Sequence, residues 1–173
     1  MIRVMVLDDH PLVYEGLQSV IEHDAELRLV ALATNATEAI TTYHQVNPDL
    51  VLVDLQLPGE SGLAFIKKMR EAGATAKLVV LTASSRPSEV REALTLGVDG
   101  YVLKDSMPDE IISALKRIAS GRKYYDPRIA DIVVQRSASV SRLLDQLTDR
   151  EIEVLKELGK GKSNRQIASD LFI

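Results

Sequence analysis

The chain has 173 residues and a formal net charge of −4 at pH 7. With 46% apolar and 27% charged residues, it has the composition of a globular protein with a buried core, which excludes disordered and fibrous classes. It contains no cysteine, which excludes disulfide scaffolds, thiolate zinc sites and thiol nucleophiles. No apolar run approaches about 18 residues, so we expect no membrane span and a cytoplasmic location.

Short apolar runs alternate with helical patterns five times along the first 121 residues. Runs without polar alternation favour strands buried on both faces of a parallel sheet, which needs covering helices. We therefore predict five strands at Ile2–Leu7, Leu27–Ala33, Leu50–Val53, Leu78–Leu81 and Tyr101–Leu103. Helical spacing predicts helices at Pro11–His23, Thr37–Val46, Gly62–Ala72, Pro87–Leu96 and Pro108–Ala119. This alternation indicates an α/β fold with a doubly wound parallel sheet in residues 1–121.

The pattern changes after residue 121, which indicates a second and smaller unit. Residues 122–142 contain a helix-compatible stretch and then small polar residues, so we predict a linker with a possible helix. Residues 143–173 return to a helical pattern. The candidate N-cap residues there are Thr148, with Glu151 three residues on as a capping box, and Ser163 or Asn164.

Polar side chains follow four of the predicted strands at the point where each strand ends. They are Asp8 and Asp9 after the first strand, Asp54 after the third, Thr82 after the fourth and Lys104 after the fifth. In an open parallel sheet, functional groups gather outside the carboxyl ends of the strands. We therefore expect three carboxylates, a hydroxyl and an ammonium at one edge of the sheet.

This set of side chains predicts a metal-assisted phosphoryl transfer site. Three neighbouring carboxylates repel one another, and Mg²⁺ relieves that repulsion because it prefers oxygen ligands. A carboxylate beside such an ion can attack phosphorus and form an acyl phosphate, while a lysine neutralises the phosphoryl oxygens. Asp54 is the best placed nucleophile, since it ends a central strand and precedes a turn-rich loop.

The other polar groups of the sequence carry less information. His10 follows the acidic pair and can reach the site, but we expect a surface role for it. His23 and His44 fall on solvent-facing helix positions. No serine or histidine forms a plausible nucleophilic triad, and the sequence has no glycine-rich nucleotide loop.

With these residues the first part of the chain resembles the receiver domain of bacterial two-component response regulators. The motif is present as an acidic pair, an aspartate followed by proline and glycine, a threonine and a lysine: Asp8-Asp9, Asp54 with Pro58 and Gly62, Thr82 and Lys104. The resemblance implies a flavodoxin-like sheet with strand order 2-1-3-4-5. One departure is Asp105 after Lys104, where many receivers have proline with a cis bond, so a trans bond is favoured here.

The resemblance also implies a role for each residue of the motif. Asp54 would be the phosphoacceptor, and the Mg²⁺ ligands would be Asp8, Asp9, Asp54 and the backbone carbonyl of Gln56. Thr82 and Lys104 would bind the phosphoryl oxygens. Tyr101 resembles the switch aromatic that turns inward when Thr82 moves toward the phosphate. Gln56 and Ser84 would flank the attacking water and tune dephosphorylation.

The second unit resembles the opening segment of a LuxR-type helix-turn-helix domain, as in the NarL/FixJ branch of regulators. The matching segments are Leu147–Glu151, Val154-Leu155 and Gly161–Ala168. The helix that enters the DNA major groove should follow Ile173, so the unit is incomplete and we expect these 173 residues to bind specific DNA poorly. For the full-length protein the resemblance implies DNA, a sensor histidine kinase and a phosphorylation-dependent homodimer as partners.

Three alternative functions fit the sequence less well than a response regulator does. A Mg²⁺-dependent phosphatase of the haloacid-dehalogenase class needs its nucleophilic aspartate on the first strand with a second acid two residues later, which Asp8-Asp9-His10 does not provide. A flavodoxin-like cofactor binder needs a loop rich in hydroxyl groups and glycine after that strand, but this loop is acidic. A constitutive interaction module is disfavoured by the complete pocket.

Overall fold

A computed structural model describes residues 1–136, 148–159 and 162–171 of the chain. The chain divides into two compact units, residues 1–132 and residues 133–173. Among the described residues, no helix combines the length and apolar character needed to cross a membrane.

The first unit alternates strands and helices, as the sequence predicts. The strands are β1 (Ile2–Leu7), β2 (Leu27–Ala33), β3 (Leu50–Val53), β4 (Lys77–Thr82), β5 (Gly100–Leu103) and β6 (Tyr124–Tyr125). The helices between them are α1 (Pro11–Glu22), α2 (Ala36–Val46), α3 (Gly62–Glu71), α4 (Pro87–Thr95) and α5 (Pro108–Ala119). A 3₁₀ turn at Pro127–Ile129 leads into a helix, α6, at residues 130–136.

The strands form one parallel sheet in the order β2-β1-β3-β4-β5-β6. The predicted order of the first five strands is confirmed, and the structure adds β6 at the edge of β5. In this register Leu7 lies beside Val53, and Thr82 lies beside Leu103. The residues that follow β1, β3, β4 and β5 therefore emerge at the same edge of the sheet.

The central strands are buried on both faces, which explains their uninterrupted apolar sequences. One face packs against α1 and α5 through a cluster that includes Val6, Leu52, Leu81, Ile21 and Leu115. The alternate residues of each strand point to the opposite face. Because both faces are covered, the polar groups of these strands are confined to their ends.

Local sequence signals set the ends of several helices. Gly73, Gly97 and Gly121 follow α3, α4 and α5 with φ angles of +72°, +72° and +87°. These left-handed conformations suit glycine, which has no Cβ to clash, and they confirm the predicted C-terminal stops. Asn35 caps α2 by accepting a hydrogen bond from the Glu38 amide at 3.0 Å.

Residues 122–142 were predicted as a linker with a possible helix, and the described part of this segment contains β6, the 3₁₀ turn and helical residues. Its first part joins the sheet as β6, where the amide of Asp126 donates to the carbonyl of Tyr101 at 2.8 Å. The buried Asp126 carboxylate accepts bonds from both Arg128 Nε at 2.9 Å and Ser106 Oγ at 3.0 Å. Arg128 also donates to Asp105 at 2.7 Å. The later part of the predicted linker, residues 137–142, lies outside the described residues.

The second unit contains α7 (Asp149–Gly159) and α8 (Asn164–Leu171), which contact each other. The predicted capping box at the start of α7 is confirmed, since the Glu151 amide donates to Thr148 Oγ1 at 3.3 Å and the Thr148 amide donates to Glu151 Oε2 at 2.8 Å. At α8 the cap is Ser163, whose amide donates to Gln166 Oε1 at 2.9 Å. Residues 143–147, predicted as part of this unit, lie outside the described residues.

Two glycine variants test how tightly the sheet edge is packed. A Cβ on Gly62, at the start of α3, would lie 1.9 Å from the backbone oxygen of Asp54. We expect Gly62→Ala to lower the free energy of unfolding by at least about 2 kcal/mol because backbone must move. Gly16→Ala in α1 is the matched control, since its Cβ meets no atom within 4 Å, and a gain of about 0.5–1 kcal/mol is expected. Equal thermal stability of the two variants would contradict this packing.

The ion pair after β6 gives a second prediction. Arg128 lowers the pKa of Asp126 to about 2, mainly through its hydrogen bond to the carboxylate. The ionised carboxylate therefore contributes stability that is present above the unfolded-state pKa of about 4 and is lost as the pH falls through about 2. Because Arg128 is 45% exposed and solvent screens its charge, we expect Arg128→Ala to lower the free energy of unfolding only slightly at neutral pH, and this difference should shrink on acidification.

Urea unfolding followed by tyrosine fluorescence measures this effect in the first unit. The chain has five tyrosines and no tryptophan, and all five tyrosines precede residue 133. Arg122→Ala replaces an exposed arginine of the same segment and is the control. A pH-independent loss in Arg128→Ala would show that the pair with Asp126 is not its source.

Candidate functional site

The residues predicted at the strand ends are held in place by backbone hydrogen bonds that extend the sheet. The Asp8 amide donates to Ala33 at 3.0 Å, and the Asp54 amide donates to Leu7 at 2.9 Å. The Lys104 amide donates to the carbonyl of Thr82 at 2.9 Å. Each functional side chain is thus fixed by the strand beside it, and the sheet register brings them together.

Lys104 binds two of the three carboxylates directly. Its ammonium lies 2.7 Å from Asp54 Oδ2 and 2.8 Å from Asp8 Oδ2. Burial disfavours the charged amine, but the hydrogen bond to Asp54 and the negative charges of Asp54 and Asp8 outweigh that cost, and the pKa of Lys104 is raised above its ordinary value. The lysine therefore stays charged and neutralises part of the acidic cluster.

The carboxylates of Asp8 and Asp54 are almost fully buried, each 2% exposed, and Asp9 is partly open to solvent. Asp8 Oδ2 and Asp9 Oδ1 are shielded from solvent without a partner in hydrogen-bond geometry, although the Lys104 ammonium lies near the first of them. Buried carboxylate oxygens without such partners are costly unless a cation binds them. The donor set fits a hard divalent cation such as Mg²⁺.

His10 is an exposed residue that also reaches the site, as the sequence allowed. Its Nδ1 lies 3.0 Å from Asp8 Oδ1, 3.0 Å from Asp9 Oδ1 and 3.8 Å from Asp54 Oδ2. Atoms of these four side chains lie within 4.8 Å of one another, so they can share one ion. The sequence could not reveal these His10 contacts, because the direction of an exposed imidazole depends on its side-chain rotamer.

The loop after β3 supports the Asp54 side chain from the other side. The Gln56 amide donates to Asp54 Oδ1 at 3.2 Å, and Gln56 pairs with Ser61 in an isolated antiparallel bridge. The Ser61 hydroxyl in turn accepts a bond from the Leu63 amide at 3.2 Å and caps α3. The loop is therefore closed at its base, where the Gln56 side chain is exposed.

Thr82, Ser84 and Tyr101 form a buried hydrogen-bonded chain beside this pocket. The Ser84 amide donates to Thr82 Oγ1 at 3.3 Å, and the Tyr101 hydroxyl donates to the Ser84 carbonyl at 2.8 Å. Tyr101 has no exposed surface, and burial raises its pKa well above the ordinary value. The predicted switch aromatic is thus in the inward position, tied to the segment that follows Thr82.

The remaining group of this set is Arg86, which the sequence did not single out. Its amide and its Nε both lie 3.3 Å from Ser84 Oγ, and its guanidinium lies 2.8 Å from Glu89 at the start of α4. The Ser84 hydroxyl is therefore engaged by Arg86. The peptide bond between Lys104 and Asp105 is trans, as expected without proline at that position.

Comparison with known proteins matches both parts of the chain to family models. The model described as response regulator receiver domain matches residues 4–116. The model described as bacterial regulatory proteins, luxR family, matches residues 145–173. The first match alone spans more than half of the chain.

Curated relatives and solved structures agree with these matches. The nitrate/nitrite response regulator protein homolog of Haemophilus influenzae is 37% identical over 172 residues, 99% of this chain and 82% of that protein. The nitrate/nitrite response regulator protein NarP of Escherichia coli is 37% identical over 173 residues, 99% of this chain and 80% of that protein. A LuxR-family two-component response regulator from Aurantimonas is 34% identical with a TM-score of 0.72, covering 79% of this chain and 97% of that one. The chain therefore belongs to the response regulator family whose members join a receiver domain to a LuxR-type DNA-binding domain.

Proposed function

We propose that Asp54 is the phosphoacceptor of this transcription regulator and that Asp8, Asp9, Asp54 and the carbonyl of Gln56 hold Mg²⁺ during the transfer. The observation that carries the proposal is the position of Asp54 Oδ2, 2.7 Å from the Lys104 ammonium in a buried acidic pocket. Membership of the family sets aside the alternative of a haloacid-dehalogenase phosphatase. The protein is a regulator activated by phosphorylation and not a classical enzyme.

The transfer requires an oxygen of Asp54 to attack phosphorus in line with the bond that breaks. The new bond joins that oxygen to phosphorus, and the electron pair of the broken bond leaves with the donor, such as the imidazole of a histidine kinase. A bound Mg²⁺ supplies charge neutralisation for the phosphoryl oxygens. The receiver thus promotes its own phosphorylation, because the attacking carboxylate and the groups that neutralise the phosphoryl charge belong to the same chain.

Lys104 changes partners during this reaction. In the unphosphorylated chain its ammonium is bound to Asp54 Oδ2 and lies beside Asp8 Oδ2. Phosphorylation adds negative charge at Asp54, so the ammonium gains a phosphoryl oxygen as partner. Because its pKa is raised, the lysine enters this step fully charged.

Thr82 and Tyr101 provide the switch that follows phosphorylation. A phosphoryl oxygen on Asp54 would accept a hydrogen bond from the Thr82 hydroxyl, and movement of Thr82 toward it would lengthen the bond that Thr82 Oγ1 accepts from the Ser84 amide, which is already long at 3.3 Å. Movement of Thr82 toward the phosphoryl group would leave space for the Tyr101 ring. Tyr101 would then keep its inward position, with its hydroxyl bound to the Ser84 carbonyl. Phosphorylation would therefore stabilise a conformation that already exists, which is how a modification shifts a two-state equilibrium.

Gln56 and Ser84 would tune the lifetime of the acyl phosphate. Gln56 is exposed beside Asp54, so its side chain can guide or exclude water. Ser84 is 8% exposed and its hydroxyl accepts from Arg86, so its contribution requires Arg86 to move. Hydrolysis by an attacking water returns phosphate and the free carboxylate.

A sensor histidine kinase, DNA and a second copy of the chain are the partners of this proposal, with the cytoplasm as location. The homodimer is supported by an apolar groove between α1 and α5. Leu12 is 80% exposed at its rim, and the groove reaches Lys104 and Ser106 in the loop between β5 and α5. A change in the position of Lys104 would therefore alter the surface on which the dimer forms.

Phosphorylation of Asp54 is tested by incubation with Mg²⁺ and acetyl phosphate followed by intact mass measurement. We expect the wild type to gain one phosphoryl group and Asp54→Ala to gain none. Asp109→Ala, which removes an exposed carboxylate of α5, is the control and should be modified like the wild type. An unmodified wild type under conditions that modify another receiver would overturn the proposal.

The electrostatic role of Lys104 gives a separate prediction. In Lys104→Met the carboxylates lose their neutralising charge, so we expect the metal-free protein to lose about 2 kcal/mol or more of stability. Added Mg²⁺ should then raise the melting temperature more in the variant than in the wild type. Lys67→Met replaces an exposed lysine of α3 and should change neither quantity. An equal Mg²⁺ response in all three proteins would contradict competition between the Lys104 ammonium and Mg²⁺ for these carboxylates.

A further inference from the structure

Ser84 is held at all three of its polar groups in the segment between β4 and α4. Its amide donates to Thr82 Oγ1 at 3.3 Å, and its carbonyl accepts from the Tyr101 hydroxyl at 2.8 Å. Its hydroxyl oxygen lies 3.3 Å from the amide of Arg86 and 3.3 Å from Arg86 Nε. The first two contacts lie in the buried chain beside the pocket, whereas the contact with the Arg86 side chain connects Ser84 to the surface.

The two donors of Arg86 occupy the acceptor capacity of the Ser84 hydroxyl. A serine hydroxyl has one hydrogen to donate and two lone pairs that accept. The amide and the Nε of Arg86 each engage one of these lone pairs. The Ser84 oxygen therefore has no lone pair left to accept a hydrogen bond from a water molecule in the pocket.

Glu89 holds the arginine side chain at this position. Arg86 Nη2 lies 2.8 Å from Glu89 Oε1, which belongs to the first turn of α4. Glu89 Oε2 is shielded from solvent without a hydrogen-bond partner, so this carboxylate depends on its pair with Arg86. The Arg86 side chain is 63% exposed, and it can therefore leave the Ser84 hydroxyl without rearrangement of the core.

The segment that contains Ser84 lies within electrostatic reach of Asp54. Burial, and next the charge of Glu89, raise the pKa of Tyr101. The charge of Asp54 acts in the same direction, and that of Arg86 opposes both. Because the Tyr101 hydroxyl is bound to the Ser84 carbonyl, a water molecule that attacks a phosphorylated Asp54 can meet groups of this segment.

We propose that Arg86 is a positioning residue that prolongs the life of the acyl phosphate by keeping the Ser84 hydroxyl from orienting the attacking water. This inference rests on the proposed phosphorylation of Asp54. In hydrolysis the water oxygen forms a bond to phosphorus, and the bond between phosphorus and the Asp54 oxygen breaks with its electron pair left on the carboxylate. One water proton stays on the phosphate and the other is released to solvent. A free lone pair on Ser84 would orient that water, and Arg86 withholds it.

The test measures how fast the phosphorylated full chain loses its phosphoryl group. Each protein is phosphorylated with Mg²⁺ and acetyl phosphate, the donor is removed by desalting, and the phosphorylated fraction is followed by intact mass. Arg86→Ala frees one lone pair of Ser84, so its hydrolysis should be about threefold faster or more. Arg86→Met keeps the length of the side chain without its donors and should do the same. Arg91→Ala replaces an exposed arginine of α4, and this control should keep the wild-type rate.

Ser84→Ala shows whether Arg86 acts through the hydroxyl. By itself this variant should change the rate less than about twofold, because the wild-type hydroxyl is already engaged by Arg86. In the double variant with Arg86→Ala the acceleration should be absent. Equal acceleration with and without the Ser84 hydroxyl would overturn the proposal, since Arg86 would then act by shielding the pocket or through its charge. Wild-type rates in both Arg86 variants would overturn it too.

A measurement on the unphosphorylated chain separates this inference from the proposed phosphorylation. NMR relaxation of the arginine Nε groups reports their motion on the picosecond to nanosecond timescale. We expect the Nε of Arg86 to become more mobile in Ser84→Ala, while the Nε of Arg91 is unchanged. Equal mobility of Arg86 Nε with and without the Ser84 hydroxyl would contradict the contact and overturn the proposal, whether or not Asp54 accepts a phosphoryl group.

Discussion

The ion pair between Lys104 and the buried carboxylates of Asp54 and Asp8 is the interaction on which the rest of this receiver depends. It joins the ends of β1, β3 and β5, which are far apart in sequence and meet only because the parallel sheet sets their register. The sheet in turn requires helices on both faces, and these come from the apolar periodicity of the chain. The Lys104 ammonium is stable at this buried edge because its partners, Asp8 and Asp54, carry the opposite charge. A phosphoryl group or a cation added here changes the net charge of the pocket and therefore the strength of these ion pairs.

Much of this arrangement could be predicted from the sequence. Uninterrupted apolar runs located the five long strands, and the polar residues after them located the pocket, because side chains buried on both faces leave only strand ends for charge. β6 was missed because a strand of two residues, Tyr124–Tyr125, has no periodicity to detect. The available signal was Asp126 before Pro127, a cap followed by a helix-starting proline. The contacts of His10 with the carboxylates could not be predicted, because no sequence pattern determines where an exposed ring points.

The buried chain from Thr82 through Ser84 to Tyr101 connects the pocket to the start of α4. Every link is a short-range hydrogen bond inside the core, and Arg86 with Glu89 closes the chain at the surface. Packed interiors change by discrete rearrangements of side chains, so this chain suits a two-state response better than a graded one. The same packing explains why Tyr101 can be inward without a phosphoryl group, since its hydroxyl already has a buried acceptor.

The guanidinium of Arg128 has a consequence for how movement can spread through the first unit. It crosslinks Asp105, which directly follows Lys104, to Asp126, which follows β6 and precedes α6. Arg128 therefore connects the loop that carries Lys104 to the segment that follows β6. If Lys104 shifts toward a new partner, either the hydrogen bonds of Arg128 must break or the segment that follows β6 must move as well. The receiver thus has a short mechanical link between its charge balance and its own C-terminal end.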